Sequence, residues 1–423
     1  MDVEDVEDVE DVEVVVVGAG LAGLRCAALL AEAGREVRVW EAADEVGGRI
    51  RTDVIDGFRC DRGFQVLNPA YPELDRCVDL AGLRLQGFTP GMGVRRERGS
   101  IALVHPLRAP TRVPTMLARG GVRPADVLAL ARWVSPALRP GRLKHSSGKD
   151  TTLVAALDRC GVSGELRRVI DRFLSGVVLD DTGATSNAFA LLLLRMFALG
   201  VPGLPAAGMT ALPQQLAVPL RERLSLNRRV SAIKASGRGW RVSAEDGAAV
   251  HAREVVIATD TTAAAQWIGG APAPTRGVVT DWWATDRAWE GPPMLWVDGR
   301  PGRPGPVVNT SVISAAASTY APPGRHLIAA SALLGSEHPE PPESQMRAHA
   351  AAILGIDPSD WQPITRHVIP QALPVQPPPL VVRQSIRDAS GLWMCGDYRD
   401  TASIQGALVS GRRAAAAVLT ALS

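Results

Sequence analysis

The stretch VVVVGAGLAGLRCAALLAEAGREVRVWE, residues 14–41, constrains the fold more than any other part of the chain. Four consecutive valines suit a parallel strand buried on both faces. Gly18, Gly20 and Gly23 follow at once in a G-x-G-x-x-G frame. The first allows a tight turn, the second lets backbone approach a pyrophosphate, and the third lets the next helix pack on the strand. That helix is predicted to run to Ala33, with Ala22, Cys26, Leu29, Leu30 and Ala33 on one face and Gly34 ending it. The amides of Leu21, Ala22 and Gly23 then stand at the positive end of the helix dipole, ready for phosphate. Val37 and Val39 alternate as a second strand that ends at Glu41, 18 residues after Gly23. A carboxylate there accepts ribose hydroxyls and repels a 2′-phosphate. Strand, glycines, helix, strand and acid in this order define a Rossmann-like α/β unit that binds a dinucleotide.

The next run, EAADEVGGRIRT, adds Gly47, Gly48 and Arg49. Two glycines permit close backbone approach, and a fixed guanidinium fork suits a phosphate. This extended fingerprint resembles that of the flavin-containing amine oxidase superfamily, which includes monoamine oxidases, protoporphyrinogen oxidases and phytoene desaturases. The resemblance implies FAD, with the second glycine pair on its pyrophosphate. Two later segments carry the likeness further. RVSAIKASGRGWRVSAEDGAAVHAREVVIAT reads as a β-meander with turns at 236–239 and 245–247. In the family the start of this meander touches adenine, here at Val230, and VVIA closes it at Ala258. Near the C-terminus, a strand ending at Cys395 leads into Gly396-Asp397 and a helix from Ile404. The resemblance puts Asp397 on the ribityl chain or pyrophosphate. It puts the helix N-terminus, with Ile404, Gln405 and Gly406, beneath the flavin, where a positive helix end stabilises the anionic reduced ring. Gly406 is expected to allow close approach to that ring.

Composition narrows the alternatives. Eight of the 44 acidic residues fall in DVEDVEDVEDVE at 2–13, which reads as a disordered acidic tail. It has neither the positive start nor the apolar core of a signal peptide. The remainder is mildly basic, but no basic block with interleaved aromatics argues for nucleic acid. Five cysteines without a C-x-x-C pair read as buried free thiols, pointing to a reducing, cytoplasmic setting. No metal-ligand spacing is present. The most apolar run, 188–199, contains Arg195 and is too short to span a bilayer. Peripheral membrane contact stays open, as does oligomeric state.

The expected architecture is an FAD-binding domain made of 14–75, 206–275 and 385–423, interleaved with an α+β substrate domain of 76–205 and 276–384. Residues 70–205 read as mostly helical and form a lid, and 276–384 as rich in strands, giving a mixed sheet. The seven histidines do not cluster, and His105 and His367 read as surface or core residues. No catalytic base stands out, which suits direct hydride transfer. Arg62, Tyr398 and Gln405 are the candidates for contact with substrate or ring. Leu191–Leu194, Met196, Phe197, Leu204 and Met209 offer apolar surface, and Arg195 requires a buried carboxylate or an anionic substrate group. Monoamine oxidase-like proteins carry a lysine after the VVIAT-like strand, but TRGVVTDWWATDRAWEGPP has none. Cys395, before Gly-Asp, is not a position for a covalent flavin link. The region thus resembles the protoporphyrinogen oxidase and phytoene desaturase branch, implying noncovalent FAD, a hydrophobic substrate dehydrogenated at C–C or C–N, and oxygen or a quinone-like acceptor. An oxidase of small primary or secondary amines and a non-redox flavin-dependent isomerase are the alternatives.

Overall fold

A computed structural model describes residues 10–104, 123–138, 150–302 and 304–423. Two seven-stranded sheets organise it. The first is built around β1 (Glu10–Val17), whose four valines at 14–17 are all buried. Parallel neighbours flank it: β2 (Val37–Trp40) sets Val39 beside Val16, and β12 (Ala249–Ile257) sets Val256 on the other side. β9 (Leu224–Ser225) extends the sheet past β2, and β18 (Trp393–Met394) pairs with β12. The expected meander is present as β10 (Val230–Ser236), β11 (Gly239–Ala244) and β12, with Gly237 and Gly247 at positive φ in its turns. On one face lie α1 (Leu21–Glu32) and a long C-terminal helix, Ile404–Leu422. They touch backbone to backbone: a Cβ on Gly411 would sit 2.2 Å from the Ala22 carbonyl oxygen. Buried Glu73 ties the two helices, accepting from Arg25 of α1 at 3.3 Å and Arg412 at 2.9 Å.

The second sheet has the order β17 (Gln362–Pro374), β13 (Thr275–Thr285), β16 (His326–Leu334), β15 (Val307–Val312), β14 (Leu295–Asp298), β6 (Gly91–Arg95) and β7 (Ser100–Val104). One face packs Trp283, Ala330 and Val312 against Met346 and Ala350 of the helix Glu343–Leu354. The other meets the helix Gly164–Val178 at β15, where a Cβ on Gly176 would lie 2.3 Å from the Asn309 amide nitrogen. Two small pairs connect the layers: the hairpin β3 (Thr52–Ile55) and β4 (Phe58–Asp61), and β5 (Gln86–Gly87) with β8 (Gly203–Leu204). Leu191, Leu204 and Met209 are fully or almost fully buried in this framework.

One expectation is corrected and two are qualified. The first strand starts at Glu10, not Val14, so residues 10–13 are not tail. Alternation with valine is itself a strand pattern: Val12 points into the core, and Glu13 accepts the Glu36 amide at 3.0 Å and Arg35 at 3.1 Å. The described part of the 70–205 region is mostly helical, as expected, but it also sends β6 and β7 into the second sheet. Glycines disguise β6, and Gly93 is small because the Trp296 ring lies 2.2 Å from where its Cβ would be. Among the described residues Arg195 meets no carboxylate; it donates to the Ala137 carbonyl at 2.9 Å. Lys144, Lys149 and His105 lie outside the described residues.

Candidate cofactor and substrate site

The glycine turn is shaped by three different constraints. Gly18 holds φ +106, and a Cβ there would press to 3.0 Å on the Ala258 carbonyl; a Cβ on Gly23 would fall 2.0 Å from the Gly18 oxygen. Both glycines are required by the protein itself. At Gly20 a Cβ would meet nothing within 4 Å, and at Gly48 its one close neighbour would be the Gly20 Cα at 3.6 Å. The two bare backbones therefore face a gap that the protein does not fill, as a bound pyrophosphate requires. Gly47 closes the other side, donating its amide to Ala19 at 2.8 Å. No side chain caps α1, so the first-turn amides of Leu21, Ala22 and Gly23 stay open to an anion. Glu41 follows β2 directly, its carboxylate accepting the amides of Ala19 at 2.6 Å and Ala43 at 2.9 Å. Each oxygen retains a lone pair for a ribose hydroxyl. Val230 is buried at the start of β10, where a bulge interrupts the pairing.

The C-terminal segment joins this edge. The Cys395 amide donates to Ile257, and the Gly396 amide to the Ser410 hydroxyl at 3.0 Å. Asp397 is buried, and its Oδ1 accepts Arg49 at 2.6 Å, while the other arm of Arg49 donates to the Ala372 carbonyl of β17 at 2.8 Å. Arg49 thus joins the Gly-Gly-Arg segment, the Gly-Asp turn and the second sheet. Ser403 caps the final helix through the Gly406 amide at 3.0 Å. At Gly406 a Cβ would lie 1.8 Å from the Thr401 carbonyl oxygen, so its own turn demands glycine in addition to any approach of a ring.

The three catalytic candidates do not come together. Arg62 grips Asp53 of β3 through Nε and Nη2, at 2.9 to 3.2 Å. Gln405 accepts the Glu73 amide at 3.0 Å, which ties the first turn of the final helix to its buried carboxylate clamp. Tyr398 is buried with Val15, Val17 and Leu392, its hydroxyl near Arg399 but without a well-formed bond, and burial pushes the phenol up.

Sequence reasoning missed the neighbours of the Gly-Gly-Arg hairpin on the second sheet. His367 of β17 lies 2.9 Å from Asp53 through Nε2, with its Nδ1 near the Asp61 main chain but without a well-formed bond. Burial holds the imidazole below its ordinary range. Asp61, at the end of β4, is buried and accepts Thr52, the Met209 amide at 3.0 Å and the Tyr320 hydroxyl at 2.9 Å; burial nonetheless pushes its carboxyl up to about 6. No local pattern signals these pairs, whose partners are 148 to 314 residues apart, apart from the hairpin's own Thr52.

A parallel-sheet nucleotide edge closed by a second glycine pair and a C-terminal Gly-Asp helix defines a flavoprotein oxidoreductase. The chain belongs to the flavin-containing amine oxidoreductase family, whose model matches residues 21–419. Among curated proteins it is similar to putrescine oxidase of Kocuria rosea, 49% identical over 68 residues, and to protoporphyrinogen oxidase 2 of Arabidopsis thaliana, 41% identical over 69 residues. Each match covers 16% of this chain and 14% of the relative's length. Among solved structures, an oxidoreductase from Methanosarcina mazei superposes with a TM-score of 0.72 at 17% identity, covering 95% of this chain and 99% of its own. A putrescine oxidase bound to putrescine superposes at 0.68 and 19% identity, covering 97% and 99%. The structural likenesses establish the fold, and the family match establishes membership of the flavin-containing amine oxidoreductases.

Proposed function

We propose that the protein binds FAD noncovalently and removes hydride from a C–H bond of a hydrophobic or amine substrate, dehydrogenating it at C–C or C–N, with oxygen or a quinone-like molecule as final acceptor. The observation that carries this reading is the unfilled space at Gly20 and Gly48, between open α1 amides and the Arg49–Asp397 pair. Bound there, the flavin supplies the hydride acceptor. The chain's own residues hold it: α1 amides and the backbone of Gly20 and Gly48 on phosphate, Glu41 on ribose, Asp397 on the ribityl side, and the Ile404 helix end near the ring. Noncovalent binding is favoured because Cys395 is fully buried and burial beside Cys26 pushes its thiol up. The FAD unit we assign to 14–75, 206–275 and 385–423, with β1 extending it back to Glu10, and the substrate unit to 76–205 and 276–384. The first sheet draws its strands from 10–40, 224–257 and 393–394, and the second from 91–104 and 275–374, in keeping with this division.

The purified protein is expected to be yellow and to release intact FAD on heating or acidification. Colour retained by the precipitate would refute noncovalent binding, and a colourless protein that cannot be reconstituted would refute the whole reading. Anaerobic bleaching by a panel of amines and unsaturated apolar compounds then identifies the bond that is oxidised as the flavin is reduced. Peroxide release on readmitting air distinguishes an oxidase from an isomerase that uses reduced flavin.

A further inference from the structure

Across the face of the second sheet that meets the Gly-Gly-Arg hairpin, four polar side chains stand directly opposite one another on four neighbouring strands. His367 of β17 pairs with Thr280 of β13, Thr280 with Ser331 of β16, and Ser331 with Asn309 of β15. All four are buried, in positions where a sheet face is ordinarily apolar. At strand spacing the row is about 14 Å long. Its His367 end is anchored to Asp53 of the hairpin, and beside that anchor Gly63 comes within reach of Ile369 of β17, its Cβ lying 3.3 Å from that side chain if present. Its Asn309 end lies under Gly176 of the helix Gly164–Val178. The row therefore starts at the hairpin that follows the cofactor motif and runs away from it.

The hydrogen bonds inside the row do not balance. Thr280 and Ser331 share one bond, at 2.9 Å, which uses one hydroxyl proton and leaves the second without an acceptor. Next to them the Asn309 Oδ1, in a side chain that is 3% exposed, has no donor. A buried acceptor without a donor costs about 1–3 kcal/mol, so native proteins rarely leave one unless a bound molecule completes it. A free hydroxyl proton and a free carbonyl oxygen on adjacent strands complement one group that both accepts and donates. No unpaired carboxylate accompanies them, since Asp53 is already held by Arg62 and His367. A cation would be buried there without a counter-charge, which is strongly unfavourable.

We propose that this row is the substrate-recognition floor, and that it selects an apolar substrate carrying one uncharged polar X–H group, an amine free base, an amide or a hydroxyl, over a pure hydrocarbon. The inference rests on the proposed function, because it takes the substrate to lie between the flavin and this sheet face. Asn309 and Ser331 act as specificity-determining residues, and His367 as a positioning residue through Asp53.

The test uses the FAD-loaded full-length protein and four eight-carbon probes: octylamine, octanol, octanamide and octane. Binding is followed by perturbation of the flavin visible spectrum and by thermal shift. The polar-headed probes are expected to bind and octane not to, and octylamine should bind more tightly as pH rises toward its own pKa while octanamide shows no such trend. Asn309→Leu, close in size, should weaken the polar probes at least tenfold while leaving FAD content intact. Ser331→Ala should weaken them several-fold and serves in place of Asn309→Leu if that variant does not fold. Octane binding as tightly as octanamide, failure of all polar probes to bind, or unchanged affinity in both variants would each overturn the proposal. Flavin reduction is scored separately: Asn309-dependent binding without bleaching by any substrate leaves recognition standing and removes the proposed reaction, whereas bleaching insensitive to Asn309 and Ser331 does the reverse.

Discussion

At the scale of single residues, Arg49 and Asp397 illustrate what a motif read from sequence leaves out. Each was expected on the cofactor independently, yet their side chains are 2.6 Å apart and share one job. Replacing either with alanine is expected to weaken flavin retention roughly ten- to hundredfold, from the loss of a charge-assisted hydrogen bond. The double variant should be little worse than the single ones, because residues in one network do not add. Flavin titration of the apoprotein measures all three; full additivity would separate the two roles. Glu41→Gln should also lose cofactor, while its turnover per bound flavin stays near wild type. Asp61 offers a pH test. Burial raises its folded pKa to about 6 from an ordinary 3.8, so between those values the folded protein holds more protons than the unfolded chain. This contribution to stability is complete below pH 4 and is lost as pH rises through 6, a change on the order of 3 kcal/mol. In Asp61→Asn, denaturant unfolding at a series of pH values should lack that decline.

At the scale of elements, legibility followed local pattern. The opening strand, α1, the meander and the final helix all carry their own periodicity and stop signals, and all are present. β6 was illegible because one of its glycines, Gly93, answers to Trp296, a residue some 200 positions away, and the other, Gly91, to the backbone of β7. The start of β1 was misread because eight acids in twelve residues resemble a solvated tail, and their partners Arg35, Arg38 and Arg253 are visible only in three dimensions. Deleting residues 2–13 therefore removes half of a central strand. We expect this truncation to lower the melting temperature by several degrees or to abolish soluble expression, and Glu13→Ala alone to cost about 1–2 kcal/mol through the exposed Glu36 amide and Arg35. A truncated protein with wild-type melting would show that β1 needs only its valines.

At the scale of the whole molecule, the glycine and acid edge of the first sheet was legible and the polar row across the second sheet was not. Phosphate and ribose recognition uses backbone geometry that imposes glycines and acids at fixed spacing. The row from His367 to Asn309 exists only through strand register, so its members look like ordinary core positions in the sequence. Because Arg49 ties the Gly-Gly-Arg segment to the Gly-Asp turn and to β17, flavin binding should stabilise the molecule as one unit. At a hundredfold excess over its dissociation constant this amounts to about 2.7 kcal/mol, a rise of several degrees in a single calorimetric transition. Two transitions, only one shifted by FAD, would show that the sheets melt independently. The chain order of the site also sets a timetable. Gly18 leaves the ribosome early, whereas Asp397, the partner of Arg49, is made 379 positions later, which at roughly 5–20 residues per second is about twenty seconds to more than a minute. Throughout that interval the nascent chain displays a phosphate turn with no closing wall. Flavin capture is thus a post-synthetic event that reports on the completeness of the chain, and a message cut short before codon 397 yields a protein unable to keep its colour.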